Sequence, residues 1–222
     1  MEFLSTSIGR KIVMAVTGFS MVLFAIVHLL GNSSIFAGAG GINAYAQHLH
    51  SMPLPIIMGF RLVLLAIFLV HVIFGIQLTI ENRSATPQSY AVKATRKTTF
   101  ASENMIWTGL LLGAFIIYHL LHFTMRVTPG LTLTTDASGH FDVFAMVASS
   151  FSSFAGTGIY AAAMVVLFLH LFHGIQSFFQ TIGWSNDCTQ PTIIKLGNLV
   201  ALVVFLGFVA IPLSIFFGIL KG

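Results

Sequence analysis

Five stretches of the chain run apolar, separated by short polar connections. They cover roughly residues 12–31, 55–80, 104–126, 156–180 and 196–220. A helix needs about 20 such residues to cross a bilayer core of about 30 Å. The runs are continuously apolar, without the period-two alternation of a membrane barrel strand, so helices are the spanning element. The pattern predicts an all-α integral membrane bundle of five transmembrane helices, one domain over residues 1–222. No small-residue cleavage site follows the first run, which is therefore expected to stay as a span. Pro53 and Pro55 punctuate the start of the second span, and Pro129–Gly130 follows the third. Pro212 lies inside the fifth and is expected to kink it. The stretch AMVASSFSSFAGTG, residues 145–158, fits either a surface helix or the entry to the fourth span.

Composition sharpens this picture. Only 7% of residues are charged and 56% are hydrophobic. A water-soluble domain carries about 25% charged residues, so lipid must be the solvent for most of this surface. The net charge of +4 belongs to membrane topology rather than to nucleic acid, because the cations sit in the connections. With the N-terminus in the cytoplasm, Arg10, Lys11, Arg83, Lys93, Arg96, Lys97 and Lys195 fall inside, and Arg61, Arg126 and Lys221 fall outside. The positive-inside rule favours that orientation. Lys93, Arg96 and Lys97 would then meet lipid headgroups or a cytoplasmic partner. The lone Cys188 excludes an internal disulfide and a cysteine-bound iron–sulfur cluster.

Six of nine histidines fall inside the spans: His28, His71, His119, His122, His170 and His173. Ionisable side chains are costly in hydrocarbon and usually functional there. Spans one and three run outward with His28 and His119 late in them. Spans two and four run inward with His71 and His170 late in them. Each depth thus holds one histidine from each of two helices, the arrangement that two stacked haems with paired axial imidazoles require. Local context separates the levels. His28 and His119 share H-L-L, whereas His71 and His170 share H-x-x-x-G-I-Q. A glycine four residues on lies on the same helical face and leaves room for a flat macrocycle or a second backbone. His122 and His173, three residues beyond the proposed ligands, are read as hydrogen-bonding across helices, bonding a propionate or taking part in proton transfer. A competing assignment makes either of them the ligand. A zinc site fits less well, since the histidines split between two depths.

These motifs carry a family resemblance. FAIVHLLGN at 24–32, INAYAQHLHSMP at 42–53, HVIFG at 71–75, YHLL at 118–121 and HLFHGIQSFFQTIGW at 170–184 resemble the single-chain, five-helix, two-haem cytochrome b anchor of succinate dehydrogenase and fumarate reductase. The resemblance implies a membrane anchor and electron-transfer subunit of a succinate:quinone oxidoreductase in a prokaryotic cytoplasmic membrane. Its cofactors would be two b haems, with His28 and His119 as the outer metal ligands and His71 and His170 as the inner. Its partners would be a flavoprotein carrying FAD, an iron–sulfur subunit and a quinone, menaquinone in the two-haem relatives. The chain itself would supply no catalytic residue for succinate. Arg126 suits the propionates of the outer haem, and Ser177 or Lys195 those of the inner. Some relatives place a glutamate near the quinone and another in the fourth span. Here no carboxylate occurs from residue 3 to residue 80, nor in the fourth span. Gln47, His48 and His50 are the substitutes for quinone contact. Two other readings stand beside this one: a dihaem cytochrome b subunit of another oxidoreductase, such as a hydrogenase or a ferric reductase, and a proton-coupled transporter with buried histidines.

Overall fold

The computed structural model describes residues 2–85 and 99–220. Lys93, Arg96, Lys97 and Lys221 lie outside the described residues. Helix α1 spans Ser7–Asn32 and continues through a 3-10 turn, Ser33–Ala37. Thr6 starts it, its hydroxyl accepting from Gly9 N at 3.0 Å. Helix α2, Ala39–His50, is short and lies in the first connection. Helix α3 covers Leu54–Ser84, with proline in its first turn, where the missing N–H costs no helical bond. Helix α4, Met105–His119, passes directly into a π-helical turn, Leu120–Thr124. Then come α5, Val143–Phe151, α6, Phe154–Thr181, and α7, Gln190–Phe216. Among the described residues, five helical segments are long and apolar enough to cross a membrane, the third of them α4 with its π turn. Among the described residues the only β pairing is an isolated bridge between Thr135 and Phe141.

The stretch at 145–158 resolves into both of its readings at once. Helix α5 ends at Phe151, and Ser153 caps α6, accepting from Gly156 N at 3.0 Å. Asp142 caps α5 through Ala145 N at 3.0 Å. Two caps eight or more residues apart make two helices out of one apolar stretch. Pro212 sits buried inside α7, which runs on past it to Phe216.

Helix α6 is the hub, packing on α1, α4 and α7, while α3 packs chiefly on α1. Consequently α3 buries only Leu78, and Leu62, Val63, Leu65, Leu69 and Ile73 face outward as a lipid surface should. Small residues allow the close crossings. A Cβ on Gly207 of α7 would come within 2.7 Å of Leu29 on α1, and one on Gly197 within 3.2 Å of Ile175 on α6. The core divides in two. Val22, Leu171, Ile175, Ala201 and Val204 join α1, α6 and α7. Ile35, Ile42, Phe144, Phe151, Tyr160 and Ile211 join the connecting helices α2 and α5 to the opposite end of the bundle. The end that carries the N-terminus is called the N-side below, and the end covered by α2 and α5 the far side. On the N-side, Arg10 Nη2 meets Glu81 Oε2 at 2.8 Å and ties the start of α1 to the end of α3.

Candidate functional site

Two histidine pairs face each other across the bundle. His71 of α3 and His170 of α6 have ring centres 6.4 Å apart with planes crossed at 75°. His28 of α1 and His119 of α4 are 5.9 Å apart and crossed at 89°. Two imidazoles bonded on opposite sides of one metal ion, at about 2 Å each, have ring centres about 6 Å apart. The pairing follows the two depths expected from the sequence. Among the described residues no three His, Cys, Asp or Glu side chains converge, so a clustered metal site is not formed there.

The N-side pair is held by hydrogen bonds that leave one ring nitrogen free. His71 Nδ1 lies 3.0 Å from the carbonyl of Met14 and 3.4 Å from Thr17 Oγ1. A carbonyl only accepts, so Nδ1 carries the proton and Nε2 keeps its lone pair. His170 Nδ1 lies 3.1 Å from Thr108 Oγ1. That hydroxyl is within 3.1 Å of two carbonyls of its own helix, Asn104 and Met105, and spends its proton there. It therefore accepts from His170 Nδ1–H, and again Nε2 is left as the ligand atom.

A glycine stands next to each threonine. A Cβ on Gly18 would lie 2.8 Å from the His71 ring, and one on Gly109 would lie 3.3 Å from the His170 ring. Close approach to the imidazole is thus provided by the neighbouring helix. At Gly75 the nearest atom to an added Cβ is Met14 Sδ at 4.0 Å, and at Gly174 nothing lies within 4 Å. The glycines of H-x-x-x-G-I-Q border open space rather than another backbone.

Sequence reasoning missed Thr17, Gly18, Thr108 and Gly109, although the signal is in the chain. TGFSMVLFAIVHLL at 17–30 and TGLLLGAFIIYHLL at 108–121 share T-G-x9-H-L-L. Eleven residues make three helical turns and rise about 16 Å. One face of α1, and the same face of α4, therefore carries a far-side histidine and, three turns away, the cradle for an N-side histidine. Together with H-x-x-x-G-I-Q on α3 and α6, this makes the bundle two like hairpins, α1–α3 and α4–α6.

The far-side pair sits among aromatic rings. Phe24 stacks on His28 at 5.3 Å, and Phe115 and Phe123 flank His119 at 6.0 and 5.7 Å. Tyr160 Oη lies 3.3 Å from His119 Nδ1 and 3.0 Å from His122 Nδ1. His122 is buried, whereas His173 is half-buried and has no hydrogen-bond partner among the described residues. Tyr160 was the second residue set invisible to the sequence reading, because nothing local marks a tyrosine in an apolar run as a partner for a histidine two helices back.

Over the far side the first and third connections interlock. Asn43 Nδ2 donates to Asp142 Oδ1 at 3.0 Å, and Phe144 N donates to Asn43 Oδ1 at 3.0 Å. Gln47 Nε2 pairs with His140 Nε2 at 3.0 Å. Asp142 thereby brings a carboxylate to a connection whose own sequence has none. His48 and His50 are exposed on α2, and His50 Nδ1 donates to its own helix at Ala46 O, 2.7 Å away. Arg126, two residues past the π turn, has φ 57°, a left-handed conformation that costs a non-glycine residue about 1–2 kcal/mol. Its guanidinium lies 3.7 Å over the Phe141 ring. Among the described residues, Arg126 Nε and Thr128 Oγ1 are buried without a hydrogen-bond partner. On the N-side, Ser177 is half-buried with its carbonyl bonded by Thr181 Oγ1 at 2.8 Å, and Lys195 is exposed near the start of α7. An apolar groove of about 450 Å³ opens between α4 and α6, bordered by Phe115, Tyr118, Ile159 and Ala163, and contains no histidine.

Comparison with curated proteins and with solved structures gives no match. The sequence model of one family, described as succinate dehydrogenase/fumarate reductase transmembrane subunit, matches residues 79–211. That stretch begins near the end of α3, takes in His119, His122, His170 and His173, and covers more than half of the chain. With five apolar spans and no sheet among the described residues, the chain belongs to the succinate dehydrogenase/fumarate reductase transmembrane subunit family.

Proposed function

We propose that this chain is the membrane anchor and electron-transfer subunit of a succinate:quinone oxidoreductase. It holds two b haems, one between His71 and His170 and one between His28 and His119. Its partners are an iron–sulfur subunit and a FAD-bearing flavoprotein on the cytoplasmic side, and menaquinone in the lipid of a prokaryotic cytoplasmic membrane. The observation that carries this reading is the two crossed histidine pairs, 6.4 and 5.9 Å between ring centres, at two levels of one bundle. Such residues fit haem iron, for which imidazole is a standard ligand, and His71 with His170 and His28 with His119 would hold it.

A bound haem supplies a reversible one-electron couple. The chain's own part is to hold, orient and insulate. Met14 O and Thr108 Oγ1 keep the N-side imidazoles in the tautomer that offers Nε2. Gly18 and Gly109 let those rings lie against the adjacent helices. Arg126 and Thr128, whose buried donors have no hydrogen-bond partner among the described residues, are the partners for far-side propionates, and Arg10, whose Nε likewise has none among them, joins Ser177 and Lys195 as an N-side candidate. The distribution of cations supports a cytoplasmic N-side, which Arg10, Lys11, Arg83 and Lys195 border. Quinone contact is assigned to the far side, where Gln47, His48 and His50 stand on α2 near His140 and Asp142.

The test is gentle purification from native membranes with identification of the copurifying subunits and of any bound quinone. The expected result is a complex with a covalent-flavin or FAD subunit and an iron–sulfur subunit that reduces menaquinone with succinate, or runs the reverse. Copurification with hydrogenase subunits, or isolation without any soluble partner and without haem, contradicts it.

A further inference from the structure

The far-side histidine is supported differently from its N-side counterpart, and the difference has a direction. Tyr160 Oη lies between His119 Nδ1 at 3.3 Å and His122 Nδ1 at 3.0 Å. Both Tyr160 and His122 are buried, at 7% and 5% exposure, so water cannot substitute for either contact. A phenol has one proton and cannot donate to both rings. If His119 offers Nε2 towards His28, its Nδ1 carries the proton and donates to Tyr160 Oη. Tyr160 must then donate to His122 Nδ1, and His122 carries its own proton on Nε2. Each of the three groups donates or accepts in only one way. The surroundings hold the phenol in place, since Phe115, Phe123 and Phe151 pack on its ring at 5.1, 5.5 and 4.9 Å. The π turn that starts immediately after His119, with Met125 N bonded to Leu120 O at 2.7 Å, re-aims His122 relative to a regular helix.

We propose that Tyr160 is the positioning residue of the far-side site: it accepts from His119 Nδ1–H, donates to His122 Nδ1, and so fixes the His119 tautomer and sets the far-side redox potential apart from the N-side one. This rests on the two-haem reading above. An acceptor on Nδ1–H makes the imidazole a stronger donor to iron and favours the ferric state. On the N-side that acceptor is Met14 O for His71 and Thr108 Oγ1 for His170. For His119 on the far side it is a phenol whose accepting power is raised because its own proton is drawn to His122, a cooperative chain. His122 thereby has a function without being a ligand.

The experiment compares Tyr160→Phe and Thr108→Val with the wild type in the intact membrane complex, by redox titration of the haem absorbance and low-temperature electron paramagnetic resonance. Both haems stay bound in both variants. Each variant shifts one component towards the reduced form by roughly tenfold at fixed potential, the lower end of what losing an outer-shell partner does, or about 59 mV for one electron. The two variants shift different components, and the paramagnetic signal that changes differs likewise. Should Tyr160→Phe lose a haem, His122→Leu carries the test: the phenol keeps its place but loses its acceptor, and the same component moves in the same direction by less. Tyr160→Phe moving neither component, or the component that Thr108→Val moves, overturns the proposal. So does a His122→Leu titration that matches the wild type. A wild-type protein without haem overturns the two-haem reading instead, which keeps the two failures distinct.

Discussion

At the N-side level, each histidine is cradled by a neighbouring span: His71 by Met14, Thr17 and Gly18 of α1, and His170 by Thr108 and Gly109 of α4. At the far-side level, His119 leans on Tyr160 and His122 beneath a roof made by α2, α5 and the loops beside them. The ring geometry is nearly the same, and the means of securing it are not. Two like hairpins can repeat a threonine–glycine step, because that step needs only helix packing. The far side must also close the bundle against the membrane surface, and each connection there is used once. Similar site geometry can therefore rest on a repeated framework at one end and on single-use loops at the other.

The strongest way to break this comparison is to remove histidines one at a time. His170→Ala is expected to lose the N-side haem entirely, and His119→Ala the far-side one, each read as the loss of one low-spin signal and half of the haem. The neighbours should behave unequally. His173 has no hydrogen-bond partner among the described residues, so His173→Ala should leave both haems bound and both low-spin signals present. His122→Ala should retain both haems and displace the far-side signal, because it strands the Tyr160 hydroxyl. The reverse outcome at either pair would make His122 or His173 the ligand there.

A smaller effect tests the roof. Asp142 caps α5 and accepts from Asn43, binding the third connection to the first. Asp142→Ala is expected to cost about 1 kcal/mol, as loss of a helix cap does. Thermal unfolding followed by haem absorbance should show the far-side component released at lower temperature while the N-side one is unchanged. Equal loss from both levels would mean that the roof steadies the whole bundle and not one end.

The five spans and the four facing histidines could be read from the chain because membrane helices leave a long apolar signature and histidine stands out within it. The H-x-x-x-G-I-Q repeat also pointed to His170 rather than His173 as the partner of His71, and their rings do face each other. The glycines of that repeat, Gly75 and Gly174, border open space, while the rings themselves rest on Gly18 and Gly109, which lie some fifty or sixty residues from the histidines they touch. Periodicity along one helix cannot say which face of another helix it will meet. Tyr160, Asp142 and Thr128 were unreadable for the same reason, since their roles depend on tertiary closure of the far side. The left-handed backbone at Arg126 also left no trace in sequence, because that conformation is ordinarily glycine's.

The central claim is that each facing pair of histidines receives one haem iron. It is tested most directly by quantitative pyridine haemochrome analysis of the purified, fully loaded complex, set against the amount of this chain. The account predicts two b-type haems per chain, each giving its own low-spin signal. A ratio of one, or a haem-free protein that is nonetheless folded and assembled with its partners, would contradict it.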